Sequence, residues 1–97
     1  MNKYEAMFIT KPELSEEERK TLFAQIQDAV IKNNGQVSQA AVWGERRKLT
    51  FPIKKSTEGV YFLMNFTIDP GAIVKLKEIY KLNENILRLL VSALGKA

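Results

Sequence analysis

The chain has 97 residues, 45% of them hydrophobic and 27% charged, with a net charge of +4, a balance that suits one globular domain over residues 1–97 and points weakly to a polyanionic partner. It contains neither cysteine nor histidine, which excludes disulfides, thiolate metal sites, thiol nucleophiles and every Ser-His-Asp arrangement. Met1 to Glu5 lacks the charged-then-apolar layout of a signal peptide, and no apolar run approaches the roughly 20 residues of a membrane span; a cytoplasmic protein without a membrane partner is the expectation.

Residues 3–10 read as a strand with Tyr4, Ala6 and Phe8 on one side and Glu5, Met7 and Ile9 on the other. Pro12 marks its end. Ser15 followed by Glu18 forms a capping-box pattern, and Glu16, Glu17 and Glu18 sit where a helix dipole favours negative charge. Leu22, Phe23, Ile26, Ala29 and Val30 then recur as one helical stripe. Asn34-Gly35 is a stop, with Gly35 expected in the left-handed conformation.

From Val37 to about Lys55 the chain is extended, and Pro52 within it argues for an edge strand, because proline cannot donate to an inner ladder. Ser56-Thr57-Glu58-Gly59 is polar enough for a hairpin connection. Val60 to Ile68 is a third strand. Asp69-Pro70 supplies an N-cap and a first-turn proline, and Ala72, Ile73, Leu76, Ile79 and Tyr80 form a second helical stripe that ends at Leu82-Asn83. Ile86 to Val91 is the last strand. The order βαββαβ predicts an α+β, ferredoxin-like split βαβ fold: a four-stranded antiparallel sheet with two helices on one face.

The other sheet face should be polar in a protein that acts alone. In the third strand, Val60, Phe62, Met64, Phe66 and Ile68 share the core side, yet Tyr61 and Leu63 lie opposite them. Met7 and Ile9 of the first strand, and Ile86 and Leu90 around Arg88 of the last, are assigned to the same open face. A contiguous apolar patch of this kind marks a protein interface, and a covering loop is the alternative. The basic residues gather as well. Arg46, Arg47, Lys48, Lys54 and Lys55 flank the edge strand, with Lys3 and Arg88 on neighbouring strands. Arginine suits phosphate through its planar pair of donors; protection of an edge strand against aggregation explains the same residues equally well.

Sharper sites fail. The RNA-recognition motif needs a basic residue, glycine and aromatics at fixed offsets, whereas Glu58-Gly59-Val60-Tyr61-Phe62-Leu63-Met64-Asn65 has acid for base and lacks two of the aromatics. There is no glycine-rich phosphate loop. Glu16, Glu17 and Glu18 point in different directions on a helix and are a helix start rather than a metal cluster.

Lys3-Tyr4-Glu5 leading to Pro12 resembles the opening of the bacterial small-subunit ribosomal protein six family. So do Trp43-Gly44 with Arg46-Arg47, then Leu49-Thr50-Phe51-Pro52-Ile53 and Lys55, the strand Tyr61-Phe62-Leu63-Met64-Asn65, and Leu82-Asn83-Glu84-Asn85-Ile86-Leu87-Arg88. Gly44 stands one residue farther from Leu49 than the family pattern has it, which implies a β-bulge there. Thr50-Phe51-Pro52 replaces the common Ala-Tyr-Pro.

The resemblance implies a non-catalytic component of the small ribosomal subunit, with no cofactor, metal or small-molecule substrate. It would bind the central domain of small-subunit ribosomal RNA together with small-subunit ribosomal protein eighteen. Met7, Ile9, Tyr61, Leu63 and Leu90 are then candidates for the protein contact, and Lys3, Arg46, Arg47, Lys54, Lys55 and Arg88 for phosphate. The competing expectation is a small regulatory or enzymatic ferredoxin-like domain that oligomerises through its open face. It would need a pocket of convergent polar groups, for which the sequence offers no motif.

Overall fold

The capping residues act where the sequence places them. The Glu18 N–H donates to Ser15 Oγ and the Ser15 N–H donates to Glu18 Oε1, both at 3.1 Å, so two donors that a helix start leaves orphaned are satisfied reciprocally. The Ser15 N–H, and after it the Ser15 hydroxyl, hold the Glu18 carboxyl below its ordinary pKa. At the second helix the Gly71 N–H donates to Asp69 Oδ1 at 2.8 Å, with Pro70 at the first helical position.

The computed structural model describes the backbone of residues 1–53 and 56–96 and the side chains of residues 1–42 and 58–95. Its elements are β1 (Asn2–Thr10), α1 (Glu16–Lys32), β2 (Gln36–Ile53), β3 (Ser56–Ile68), α2 (Pro70–Lys81) and β4 (Ile86–Lys96). They form one antiparallel sheet in the order β2-β3-β1-β4, the ferredoxin-like arrangement. Among the described residues no helix is long and apolar enough to cross a membrane.

The core lies between the helices and one sheet face. Tyr4, Ala6 and Phe8 of β1 and Phe62, Met64, Phe66 and Ile68 of β3 meet Leu22, Ile26 and Val30 of α1 and Leu76 and Tyr80 of α2. The Phe23 ring stacks on Phe62 with centroids 4.1 Å apart, and Phe8 meets the edge of Tyr80 at 4.9 Å. The Tyr80 hydroxyl donates to the Ile26 carbonyl and so ties α2 to α1. Burial pushes the Tyr80 phenol above its ordinary pKa.

Five expectations change. Asn34, not Gly35, takes the left-handed conformation, with φ of 65°. Gly35 is required by space instead: a Cβ there would lie 2.7 Å from Val30 Cγ1 and 2.8 Å from the Thr67 carbonyl oxygen. Gly35→Ala is therefore expected to destabilise the fold by about 1–3 kcal/mol, as overpacking does, despite the higher helix propensity of alanine. Urea unfolding measures it, and unchanged stability would mean that the α1–β2 junction can move away from β3.

Ser56 to Gly59 belong to β3 rather than to a hairpin connection, because Ile53 pairs with Ser56, Lys48 with Glu58 and Arg47 with Gly59. The hairpin is longer than alternation of apolar residues suggests. Ile79 keeps 40% of its accessible surface, since the buried stripe of α2 centres on Leu76 and Tyr80 and leaves Ile79 at its margin. Ile86 packs in the main core and does not face outward. The cause is a register shift: β1 residues Ile9 and Thr10 are adjacent, but their β4 partners are Arg88 and Ile86. Leu87 is thus an extra residue that reverses the alternation. β4 also continues beyond Val91 to Lys96, because β1 offers pairing positions as far as Asn2.

Candidate functional site

The open sheet face is built from residues that alternate with the core residues along each strand, and the register lines them up in rows. Ala41, Leu63, Met7 and Leu90 form one row across all four strands. Met7 and Leu63 are half-buried, Ala41 is exposed and Leu90 retains 50% of its accessible surface. The next row is Gly44, Tyr61, Ile9 and Arg88. In the opposite direction come Gln39, Asn65, Glu5 and Ser92, then Gln36, Thr67, Lys3 and Gly95. The face is therefore graded, apolar toward one end and polar toward the other.

Four of the five residues assigned to the protein contact lie on this face with surface to offer: Met7, Tyr61, Leu63 and Leu90. Ile9 lies there too but is only 7% exposed, because Leu87 and Tyr61 close over it in a small second cluster. It supports the patch from below. Leu87 and Ala41 are the members that alternation of apolar residues could not find. Leu87 is carried to this face by the bulge, and alanine gives little hydropathy signal.

The basic residues divide. Arg88 is exposed in the row next to Leu90. Arg47 pairs with Gly59, beyond the Gly44–Tyr61 pair, so its backbone lies toward the same end of the sheet. Three strand spacings separate β4 from β2, about 14 Å. The expected bulge is present: three residue steps from Gly44 to Arg47 face two from Tyr61 to Gly59. Arg46 also lies in β2, and the side chains of both arginines lie outside the described residues, as do Lys54 and Lys55 entirely. β1 pairs with β3 only as far as Val60, so the part of the β2–β3 hairpin beyond it projects past the end of β1. Lys3 does not join this end. It is exposed six residues from Ile9 along β1, about 20 Å away.

Across the described face there is an apolar band with Arg88 near one end, which suits adhesion to a protein surface and to phosphate. Among the described residues no group of three or more acidic side chains is placed to hold a metal ion.

Residues 3–92 match the family model described as ribosomal protein S6. The chain belongs to the ribosomal protein S6 family. It is 42% identical over 96 residues to the small ribosomal subunit protein bS6 of Dictyoglomus turgidum, covering 99% of this chain and 98% of that one. With the bS6 protein of Thermoanaerobacter pseudethanolicus it shares 42% identity over 91 residues, 94% of this chain and 95% of the other. The crystal structure of 30S ribosomal protein S6 from Thermotoga maritima superposes with a TM-score of 0.88 at 29% identity, over 95% of this chain and 86% of that one. The family is a structural one of the small ribosomal subunit, and its members are cytoplasmic ribosome components.

Proposed function

We propose that this S6-family chain holds the central domain of small-subunit ribosomal RNA together with small-subunit ribosomal protein eighteen. The protein partner covers the open sheet face, and RNA runs along the basic end. The observation that carries this reading is the row Ala41, Leu63, Met7 and Leu90, which spans every strand and leaves apolar surface uncovered. An uncovered apolar band of this kind on a sheet face is a binding surface rather than a solvated one. Arg88 on β4 and the arginine-bearing stretch of β2 border the band at its apolar end, where one docked partner would bring RNA and protein together. Arg46, Arg47, Lys54, Lys55 and Arg88 contact phosphate there, and Lys3 makes a separate contact at the polar end.

Titration of a central-domain RNA fragment over a salt series, with protein eighteen present, tests the RNA contact. Each phosphate contact adds about 0.7 to 0.9 to the slope of log K against log salt. Arg46→Glu with Arg47→Glu should lower both slope and affinity while leaving the melting curve in place. Unchanged slope and affinity would reduce these arginines to guards of an edge strand.

A further inference from the structure

The open face does not account for the groove between β4 and α2. β4 is the outer strand of the sheet, paired with β1 alone. Its register runs without a shift from Arg88 opposite Ile9 to Ala93 opposite Tyr4, with bulges at either end. Residues 88–93 are thus a regular strand whose outer edge meets no strand among the described residues. Natural edges of this kind are usually blunted by proline, by lysine or by a central bulge. This one carries Arg88 and otherwise Leu89, Leu90, Val91, Ser92 and Ala93. Beside it α2 stands as a wall, and the two enclose a groove of about 600 Å³. Val74, Lys77 and Lys81 line the helix side, with Glu78 as the one acidic group. Val74 is largely exposed there.

We infer that the outer edge of β4 takes up an extended, acidic segment of a partner protein as a fifth antiparallel or parallel strand. Backbone pairing along residues 88–93 provides the affinity, as in other strand-addition sites. Alternate side chains of the incoming strand fall on opposite sides of the sheet. On the helix side they meet Lys77, Lys81 and Val74. On the open side they stand next to Leu90 and Arg88 and extend the row Ala41, Leu63, Met7, Leu90 by one position. Lys77 and Lys81 against Glu78 select a segment whose carboxylates face the helix side, alternating with branched apolar residues that face Leu90. The same charges disfavour two copies of this chain pairing edge to edge, since each would bring its own Lys77, Lys81 and Arg88. The apolar lining beside Lys77 and Lys81 offers nothing to a nucleic-acid backbone.

This site is separable from the open-face reading, because a strand added at the edge does not need Leu63. The test uses the whole chain, labelled with nitrogen-15, and a capped peptide of alternating Glu and Val. A Lys-Val peptide and a Glu-Val peptide interrupted by proline serve as controls. The Glu-Val peptide should slow amide exchange within residues 88–93 and bind roughly tenfold more tightly than the Lys-Val peptide, the scale of two or three exposed ion pairs. Lys77→Glu with Lys81→Glu should reverse that preference, the proline control should fail, and Leu63→Asp should leave peptide binding unchanged. Equal binding of both charges, or exchange in residues 88–93 unaffected by the peptide, would overturn the inference. So would self-association of the free chain through these amides, or protection of the amides of residues 89–93 by an RNA oligonucleotide in place of the peptide.

Discussion

Phe62→Ala is expected to cost the fold about 3–5 kcal/mol, the usual range for removing a buried aromatic ring. Phe62 is 3% exposed at the middle of β3. Its ring lies between Phe23, stacked at 4.1 Å with planes 8° apart, and Phe8, whose centroid is 6.0 Å away. The truncation therefore opens a void where α1 meets the two central strands, and it removes two aromatic pairs at once. Small domains have about 5–15 kcal/mol of stability in all, so the loss is a large fraction of the total. Urea unfolding of the free protein measures it, and the slope of the transition should be unchanged if only the native state is affected. Below the lowered transition, partner binding should persist, since Phe62 has no surface on the open face. A mutant as stable as the wild type would mean that the two faces of β3 are interchanged.

That face assignment was legible because it rests on local chemistry. Ser15 with Glu18, and Asp69 with Pro70, mark helix starts whatever the chain does elsewhere. Val60 to Ile68 alternates without interruption, so its buried set follows from the pleat alone. β4 behaved differently. Its alternation is broken by Leu87, and one inserted residue exchanges the two faces; alternation therefore places Ile86 outward, whereas it lies in the core. A bulge between two apolar residues changes no composition and leaves no trace in the pattern.

The candidate site was legible to the extent that it lies on β1 and β3. Met7, Tyr61 and Leu63 follow from the same alternation, and Leu90 follows because it lies beyond the bulge, where the outward phase resumes. Ala41 was hidden by its size and by the register shifts of β2. The separation of Lys3 from Arg88 could not be read from sequence, because strand neighbourhood does not specify which residue pairs with which. The register does so, and it places them in rows about 20 Å apart. Gly35 followed the same logic at a helix end. Its identity suggested a turn conformation, while the actual constraint is a neighbouring strand brought close by the tertiary fold.

Leu63→Asp is expected to abolish partner binding while sparing the fold. Leu63 lies in the middle of the apolar row, between Ala41 and Met7 across the strands. It is half-buried in the free chain. Water can therefore reach the carboxylate when the partner is absent, and the cost to the free protein should be small beside that of Phe62→Ala. In a complex the charge would be buried without a counter-ion, a penalty of several kcal/mol, or orders of magnitude in affinity. RNA binding should fail only where it depends on the partner, since the proposed phosphate contacts keep their charges. The decisive measurement is calorimetric titration of small-subunit protein eighteen into the wild type and into Leu63→Asp, with a thermal melt of each. Tight binding by the wild type, none detectable by a mutant that melts close to the wild type, is the expected result; normal binding by a stably folded mutant would contradict the assignment of the open face to the partner.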